Sequence, residues 1–251
     1  MYLLNDILNI ILASFRIGAM ITAMPVLGMS SYPISLKAIL ALMLGASLVK
    51  FMGPLPDKLF YHNEVLALVV MREIGIGLFI GLCARLSFAV VSMSLEYASI
   101  QMGFSMANIF DPSSFSQVTV LGQLGMIMTV LIFFTANMHH DFFILIAKSY
   151  TTFPIGMPDF NLSSMTSTFI AFVKKVFDLS LRISMPVIVV MLIIHTVLGI
   201  IAKAAPQMNL FFNVAIIVNV VVGIILTMMM MPHILKGFIN MEKMIIHSLS
   251  V

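Results

Sequence analysis

Charged residues and cysteine are scarce in this sequence, and each scarcity excludes a class of protein. Aspartate, glutamate, lysine and arginine make up 9% of the 251 residues and hydrophobic residues 61%, whereas soluble domains have about 25% charged residues. No water-soluble core could bury so much apolar surface, so the composition predicts a membrane protein. The single cysteine, Cys83, excludes an internal disulfide and a multi-cysteine metal cluster. The 13 basic residues are scattered, so they predict no surface for nucleic acid.

Motifs of catalysis are also missing. No glycine-rich phosphate loop occurs, and no serine or cysteine lies in a nucleophile motif. The cluster that most resembles a metal or catalytic site is His139-His140-Asp141, but adjacent histidines on a helix point about 100° apart, whereas zinc ligands share a face. We therefore predict structural hydrogen bonds at a turn, no metal, no cofactor and no enzymatic activity. An intramembrane metalloprotease that depends on His139 and His140 is the alternative.

Long apolar stretches dominate the chain instead. A helix needs roughly 20 apolar residues to cross a bilayer, and six candidate helices meet or approach this length: 7–27, 38–49, 65–95, 118–134, 183–202 and 208–235. The segment 65–95 is too long for one straight span, and 38–49 is too short unless it extends through Lys37 or Lys50. A tight corner joins the last two candidates, which we predict to form an antiparallel hairpin. The fold class is all-α and polytopic, with about six hydrophobic and partly broken helices.

Six ionisable residues lie inside apolar stretches, where each is costly unless it is paired. They are Arg16, Arg72, Glu73, Arg85, Glu96 and His195. We predict that they bond to partner side chains or to free carbonyl groups; a role in a pathway or an interface is the alternative. Basic residues fall both inside and outside the apolar runs, so the positive-inside rule predicts no orientation.

Three glycines on or near one face of the third candidate helix, two of them four positions apart, permit close packing of helices. They are Gly75, Gly77 and Gly81. The sequence leaves open whether they pack inside the chain or against another subunit.

The segment 104–117 interrupts the apolar pattern and is itself apolar and bulky. Pro112 cannot continue a helical ladder and biases Asp111 away from the helical conformation. Irregular backbone at membrane depth is tolerated where protein buries it or where it lines a cavity, so we interpret this segment as a plug. Nearby methionines are flexible enough to seal a gap and still repack. The predicted pore and plug residues are Met102, Phe104, Met106, Asn108, Ile109, Phe110, Asp111, Pro112 and Phe115.

The same segment carries a resemblance to a known family. The string QMGFSMANIFDPSS at 101–114 resembles the central signature of the FliR/SctT family of flagellar and type III secretion export-gate proteins. Further matches occur in the family's order over nearly the whole chain. They are Arg16 with Pro25-Val26-Leu27, Glu73 with the three glycines, FTANMHH at 134–140, RISMP at 182–186 and AAPQMN at 204–209. Met138 stands where the family has glycine, and because methionine resists positive φ, the backbone of that turn is expected to depart from the family's.

The resemblance implies an export-gate subunit with a single domain over 1–251. Its 1–162 part would pack like FliP and include a plug loop at about 104–122, and its 163–251 part would form a FliQ-like helical hairpin. Subunit packing is expected at Gly75, Gly77, Gly81, Lys203, Pro206, Gln207 and Asn209.

The implied function is a passive gate through which unfolded flagellar proteins pass, in the bacterial inner membrane at the flagellar basal body. FliP-like and FliQ-like subunits would complete a hetero-oligomeric gate, with FlhB-like and FlhA-like export proteins and the export ATPase complex as neighbours. Asp111-Pro112 favours the flagellar members of the family. The equivalent subunit of a virulence injectisome is one alternative, and a small-solute secondary transporter is another.

Overall fold

The computed structural model describes residues 2–28, 32–49, 63–104, 119–155, 162–204 and 210–250. Its helices are α1 (Tyr2–Ala23), α2 (Ile34–Leu48), α3 (Asn63–Met102), α4 (Val120–Thr135), α5 (Met138–Thr152), α6 (Leu162–Ala204) and α7 (Leu210–Ser250). This part of the chain contains no β-strand, in agreement with the predicted all-α fold class.

Four of these helices are long and apolar enough to cross a membrane, namely α1, α3, α6 and α7. The pair α4 and α5 meets the same criterion together, although a bend of 70° separates the two helices. The apolar helix α2 is shorter, with 15 residues. The prediction of a polytopic membrane protein is therefore confirmed.

Three helices extend well beyond the apolar stretches that predicted them. The helix α3 is continuous over 40 residues, although the sequence predicts no single straight span over 65–95. The helices α6 and α7 have 43 and 41 residues, whereas only 183–202 and 208–235 were expected. The added turns contain lysines such as Lys174 and Lys243, which are good helix formers. Apolarity located the parts of these helices suited to a membrane, but not their ends.

The bend between α4 and α5 is built on Asn137. Its φ is 56°, in the left-handed region that asparagine tolerates better than most residues. Its amide donates to the Phe134 carbonyl at 3.1 Å, and its carbonyl accepts from the His140 amide at 3.0 Å. Because Met138 is the first residue of α5, the left-handed conformation falls one residue before the position at which the family has glycine. The helix α5 has no counterpart among the six candidates and is an addition to the predicted fold.

The chain divides into two compact units, each of which contains segments that are distant in sequence. Unit 1 comprises Met1–Leu86, Phe133–Val173 and Glu242–Val251, and unit 2 comprises Ser87–Ile132 and Lys174–Met241. The predicted FliP-like part, 1–162, and FliQ-like hairpin, 163–251, refer to likeness with other proteins and stay a prediction.

Each unit has an apolar core. In unit 1, Leu12 of α1 and Val69 of α3 form a buried cluster with partly buried neighbours. In unit 2, the buried cluster consists of Ala98, Met102, Val187 and Met191, contributed by α3 and α6. The rings of Phe88 and Phe238 also meet edge to face in unit 2, with centres 5.1 Å apart.

Candidate functional site

A buried ionic cluster lies in unit 1, where α1, α3 and α5 meet. Arg16 and Glu73 are fully buried, and Arg16 Nε donates to Glu73 Oε2 at 2.6 Å. Arg16 Nη1 donates to Ser149 Oγ at 3.0 Å, and the guanidinium lies 4.2 Å from the centre of the Tyr150 ring. One side chain therefore connects three helices. Arg72 lies beside the pair of Arg16 and Glu73, with Nη1 3.9 Å from Glu73 Oε1, and we call Arg16, Arg72, Glu73, Ser149 and Tyr150 the arginine cluster.

The arginine cluster also donates hydrogen bonds to backbone carbonyl groups at the C-terminal end of α5. Carbonyl groups at the C-terminal end of a helix have no intrahelical donor. Arg16 Nη2 donates to the Phe153 carbonyl at 2.9 Å, and Arg72 Nη1 donates to the Pro154 carbonyl at 2.9 Å. The prediction that buried charges bond to partner side chains or to free carbonyls is confirmed for these two arginines.

Two of the predicted packing glycines permit α1 and α3 to approach closely within unit 1. A Cβ added to Gly77 would meet the carbonyl oxygen of Arg16 and would lie 2.9 Å from Ala19 Cβ. A Cβ added to Gly81 would lie 2.6 Å from Ala23 Cβ. Of the two alternatives left open by the sequence, packing inside the chain describes both glycines. Their contact with another subunit stays a prediction.

The predicted plug segment leaves α3 through Gly103. The helix ends at Met102, and Gly103 follows with φ of 84°, its amide donating to the Ile100 carbonyl at 3.1 Å. A left-handed residue directly after a helix is the position that glycine favours most. Residues 105–118 lie outside the described residues. The structure describes the residues on either side of this segment.

The far end of the segment is bonded to α3 by Glu96, Ser99 and Thr119, which we call the latch. The Thr119 hydroxyl donates to Glu96 Oε2 at 2.8 Å, and the Thr119 amide donates to the same oxygen at 3.3 Å. Ser99 Oγ lies 2.9 Å from Thr119 Oγ1. Ser99 and Thr119 are buried and Glu96 is half-buried, so most of the latch is shielded from solvent by unit 2 itself.

Thr119 is at the same time the N-cap of α4. Its hydroxyl accepts from the Gly122 amide at 3.2 Å, and its carbonyl accepts from the Gln123 amide at 2.9 Å. Glu96 precedes the end of α3 at Met102 by six residues, which is about 9 Å along the helix axis. Phe104 and Thr119, the described residues on either side of the segment 105–118, therefore both lie beside the last two turns of α3.

Met102 and Phe104 are the described members of the predicted pore and plug set. Met102 is 2% exposed and packs with Val187 and Met191. Its side chain also lies against Gly223, where an added Cβ would collide with it. Phe104 is half-buried and packs against the same cluster. Both residues thus belong to the core of unit 2. The other members of the set lie outside the described residues: Met106, Asn108, Ile109, Phe110, Asp111, Pro112 and Phe115.

The remaining predicted residues are spread along the chain. Gly75 is half-buried, Lys203 and Arg85 are exposed, and His195 is half-buried. The predicted corner falls between the end of α6 and the start of α7, and its residues Pro206, Gln207 and Asn209 lie outside the described residues.

His139 and His140 lie at the start of α5, with ring centres 4.3 Å apart. The ring of His139 contacts that of Phe134, with centres 5.5 Å apart. His139 Nδ1 has no hydrogen-bond partner among the described residues. In the same residues, no three side chains of histidine, cysteine, aspartate or glutamate are grouped as a metal site requires.

Sequence reasoning missed the latch. It identified Glu96 as a costly charge but assigned it no partner, and it did not single out Ser99 or Thr119. One signal was present, because threonine directly before an apolar run is a typical N-cap. No local pattern places that cap beside a carboxylate 23 residues earlier in the chain.

Comparison with known proteins agrees with the resemblance. The family described as bacterial export proteins, family 1, matches residues 7–244. The flagellar biosynthetic protein FliR of Escherichia coli (strain K12) is 30% identical over 220 residues, which cover 86% of this chain and 82% of that protein. FliR of Caulobacter vibrioides is 30% identical over 83% of this chain and 82% of its own length. FliR of Bacillus subtilis (strain 168) is 26% identical over 83% of this chain and 82% of its own length.

Proposed function

We propose a pore-forming role for this chain, which belongs to family 1 of the bacterial export proteins and is a membrane component of the flagellar export apparatus. In this role the chain forms part of the pore, and of the plug across it, through which unfolded flagellar proteins are secreted. The membrane concerned is the bacterial inner membrane, at the flagellar basal body.

The geometry of the latch is the observation that carries the proposal. Thr119 bonds to Glu96 and Ser99 of the helix from which the segment 105–118 departs. The described residues that flank the segment are therefore both attached to α3, and Asp111 is the only charged residue of the segment in the sequence. An apolar loop that leaves and re-enters a membrane protein at one place suits a plug, because such backbone at membrane depth must be buried or line a cavity.

A plug of this composition acts by excluding water. Met106, Ile109, Phe110 and Phe115 supply large apolar side chains, and hydrophobic constrictions in channels close by dewetting. The gate is passive in this proposal: the chain conducts a polypeptide, and other components of the apparatus supply the energy.

The exposed apolar surface of α6 and α7 supports assembly with other subunits. Only 11% of the most apolar window of α6 and 17% of that of α7 is buried within the chain, against 44% for α1. Met228 of α7, for example, is 71% exposed. We propose FliP-like and FliQ-like subunits as the chains that cover part of this surface, with FlhB-like and FlhA-like proteins as neighbours.

Family membership favours this function over its rivals. A secondary transporter or a metalloprotease using His139 and His140 has no support from the relatives named above, all of which are flagellar biosynthetic proteins. The same relatives favour a flagellar gate over the injectisome equivalent.

Deletion of residues 109–115 tests the plug directly. We expect the variant to assemble and to raise the leak of ions into intact cells, because the apolar constriction is removed. A matched deletion of the same length within 51–58, between α2 and α3, controls for shortening the chain between two helices. An unchanged leak from a correctly assembled variant would falsify the plug assignment.

A further inference from the structure

The helices α6 and α7 both carry basic residues in unit 2, and some of these residues lie at the same height along the two helices. A Cβ added to Gly237 of α7 would lie 2.5 Å from Ile183 Cδ1 and 3.8 Å from Leu179 Cδ2 of α6. Residues near 237 and residues near 179–183 are therefore at the same height. Lys236 of α7 is thus level with Arg182 of α6, although 54 positions separate them in the sequence.

Four basic side chains lie at or next to this level, and we call them the basic belt. They are Lys174, Lys175, Arg182 and Lys236, and all four are exposed. Lys175 precedes Arg182 by seven residues, about 10 Å along the axis. The one acid between residues 174 and 182 is Asp178, whose carboxylate accepts from Arg182 Nε at 2.7 Å. Four positive charges and one negative charge leave the belt strongly positive.

An uncharged apolar zone begins directly beside the basic belt. In α6, residues 183–202 contain His195 as their only ionisable side chain, and residues 215–231 of α7 contain none. Twenty helical residues rise about 30 Å, which is the thickness of a bilayer's hydrocarbon core. Leu192 and Ile193 of α6 and Ile217 of α7 are more than half exposed in this zone, as lipid-facing side chains would be.

We propose that the basic belt binds the phosphates of anionic phospholipid headgroups, where the apolar zone of α6 and α7 enters the bilayer. Basic residues at the membrane surface attract anionic lipids. The long side chains of lysine and arginine reach the headgroup layer even where their backbone lies deeper in the bilayer. A bilayer with its headgroups is about 40–45 Å thick and its hydrocarbon core about 30 Å, which leaves a headgroup layer of about 5–7.5 Å on each side. The belt is about 10 Å high, and the long side chains of its lysines cover the difference. The belt fixes the height of the hairpin in the membrane without deciding which leaflet it faces.

Lipid selectivity of the full-length chain tests this assignment. The chain, purified in mild detergent with any subunits that remain bound, is titrated with phosphatidylglycerol and with phosphatidylcholine of the same acyl chains, and retained lipid is counted by native mass spectrometry. The test variant is Lys174→Gln, Lys175→Gln and Lys236→Gln combined. The charge-preserving control replaces the same three lysines by arginine, and Lys148→Gln removes an exposed charge of α5 elsewhere in the protein.

The wild type is expected to retain phosphatidylglycerol over phosphatidylcholine, and this preference should fall roughly fivefold for each lysine removed. The arginine variant and Lys148→Gln should keep the preference, and high salt should abolish it in all of them. Single glutamine variants replace the triple variant if that one fails to fold. A wild type without preference, an equal loss in Lys148→Gln, or a belt covered by another protein subunit in the isolated complex would each overturn the assignment.

Discussion

Arg16 carries a charge into the interior of unit 1, where groups of the chain itself bond to it. Its guanidinium donates to a carboxylate, a hydroxyl and a carbonyl, and it lies over an aromatic ring. An ion pair so buried contributes little net stability compared with an apolar pair, but losing one partner leaves an uncompensated charge. The arginine cluster therefore makes the arrangement of α1, α3 and α5 specific.

Removal of Glu73 tests the cost of that uncompensated charge. Glu73→Ala is expected to lower the free energy of unfolding by about 3–5 kcal/mol, measured by denaturant titration in detergent. The combination of Arg16→Met with Glu73→Leu should recover part of the loss, because the fully buried guanidinium that Glu73 compensates is then removed with it, while Arg72 keeps its bond to the Pro154 carbonyl. Asp178→Ala is the control, since it breaks an exposed pair and should cost no more than about 1 kcal/mol. Equal losses in Glu73→Ala and Asp178→Ala would contradict the role given to the cluster.

The sequence predicts the need for these partners but not their identity. Charges within apolar stretches must be paired, and that rule alone marks Arg16, Arg72 and Glu73. The partners of Arg16 lie 57, 133 and 137 positions away. Only the folded chain brings them together, because no helical period links positions so far apart.

At the scale of the helix, the close approach of α1 and α3 depends on glycine. Gly77→Ala places a methyl group against the backbone of Arg16, and we expect a loss of about 1–3 kcal/mol from this overpacking. Gly199 of α6 has no atom within 4 Å of an added Cβ, so Gly199→Ala should gain up to about 1 kcal/mol from helix propensity. Opposite signs in one unfolding assay are the expected result; two gains would show that α1 and α3 need no glycine between them.

The latch makes its own prediction at this scale. Thr119→Val keeps the shape of the side chain but removes the hydroxyl that bonds Glu96 and caps α4, at a cost of about 0.5–2 kcal/mol. The plug should then be less well positioned and the ion leak of assembled complexes should rise, whereas Thr119→Ser should behave as the wild type. Thr196→Val, which removes an exposed hydroxyl bonded within α6, is the control. If assembled Thr119→Val complexes leak ions no more than the wild type, the latch has no role in gating.

Apolar stretches predict the central parts of helices better than their ends. The core of α6 is evident from its hydropathy, but its first turns mix serine, threonine and lysine with apolar residues and contain no long apolar run. The bend at Asn137 is set by a single left-handed residue, which a hydropathy pattern cannot register. The latch depends on contact between α3 and the N-cap of α4, so local patterns reveal the cap but not its partner.

At the scale of the whole molecule, much apolar surface of the chain stays exposed. The windows of α6 and α7 are mostly unburied within the chain, so lipid and other subunits complete what the chain leaves open. Composition predicts this need, but it does not say which partners meet it. The family supplies that answer at the level of the export apparatus, and the gate itself is our proposal.

Contact between a passing substrate and residue 110 is the most direct test of that gate. A photoreactive phenylalanine derivative at Phe110 keeps an aromatic side chain in the plug, and an export substrate stalled by a folded C-terminal domain occupies the pore. The same derivative at Phe177, an exposed residue of α6, is the control. The account predicts that the stalled substrate crosslinks to position 110 and not to position 177. Equal crosslinking at both positions, or none at 110 in an exporting complex, would contradict it.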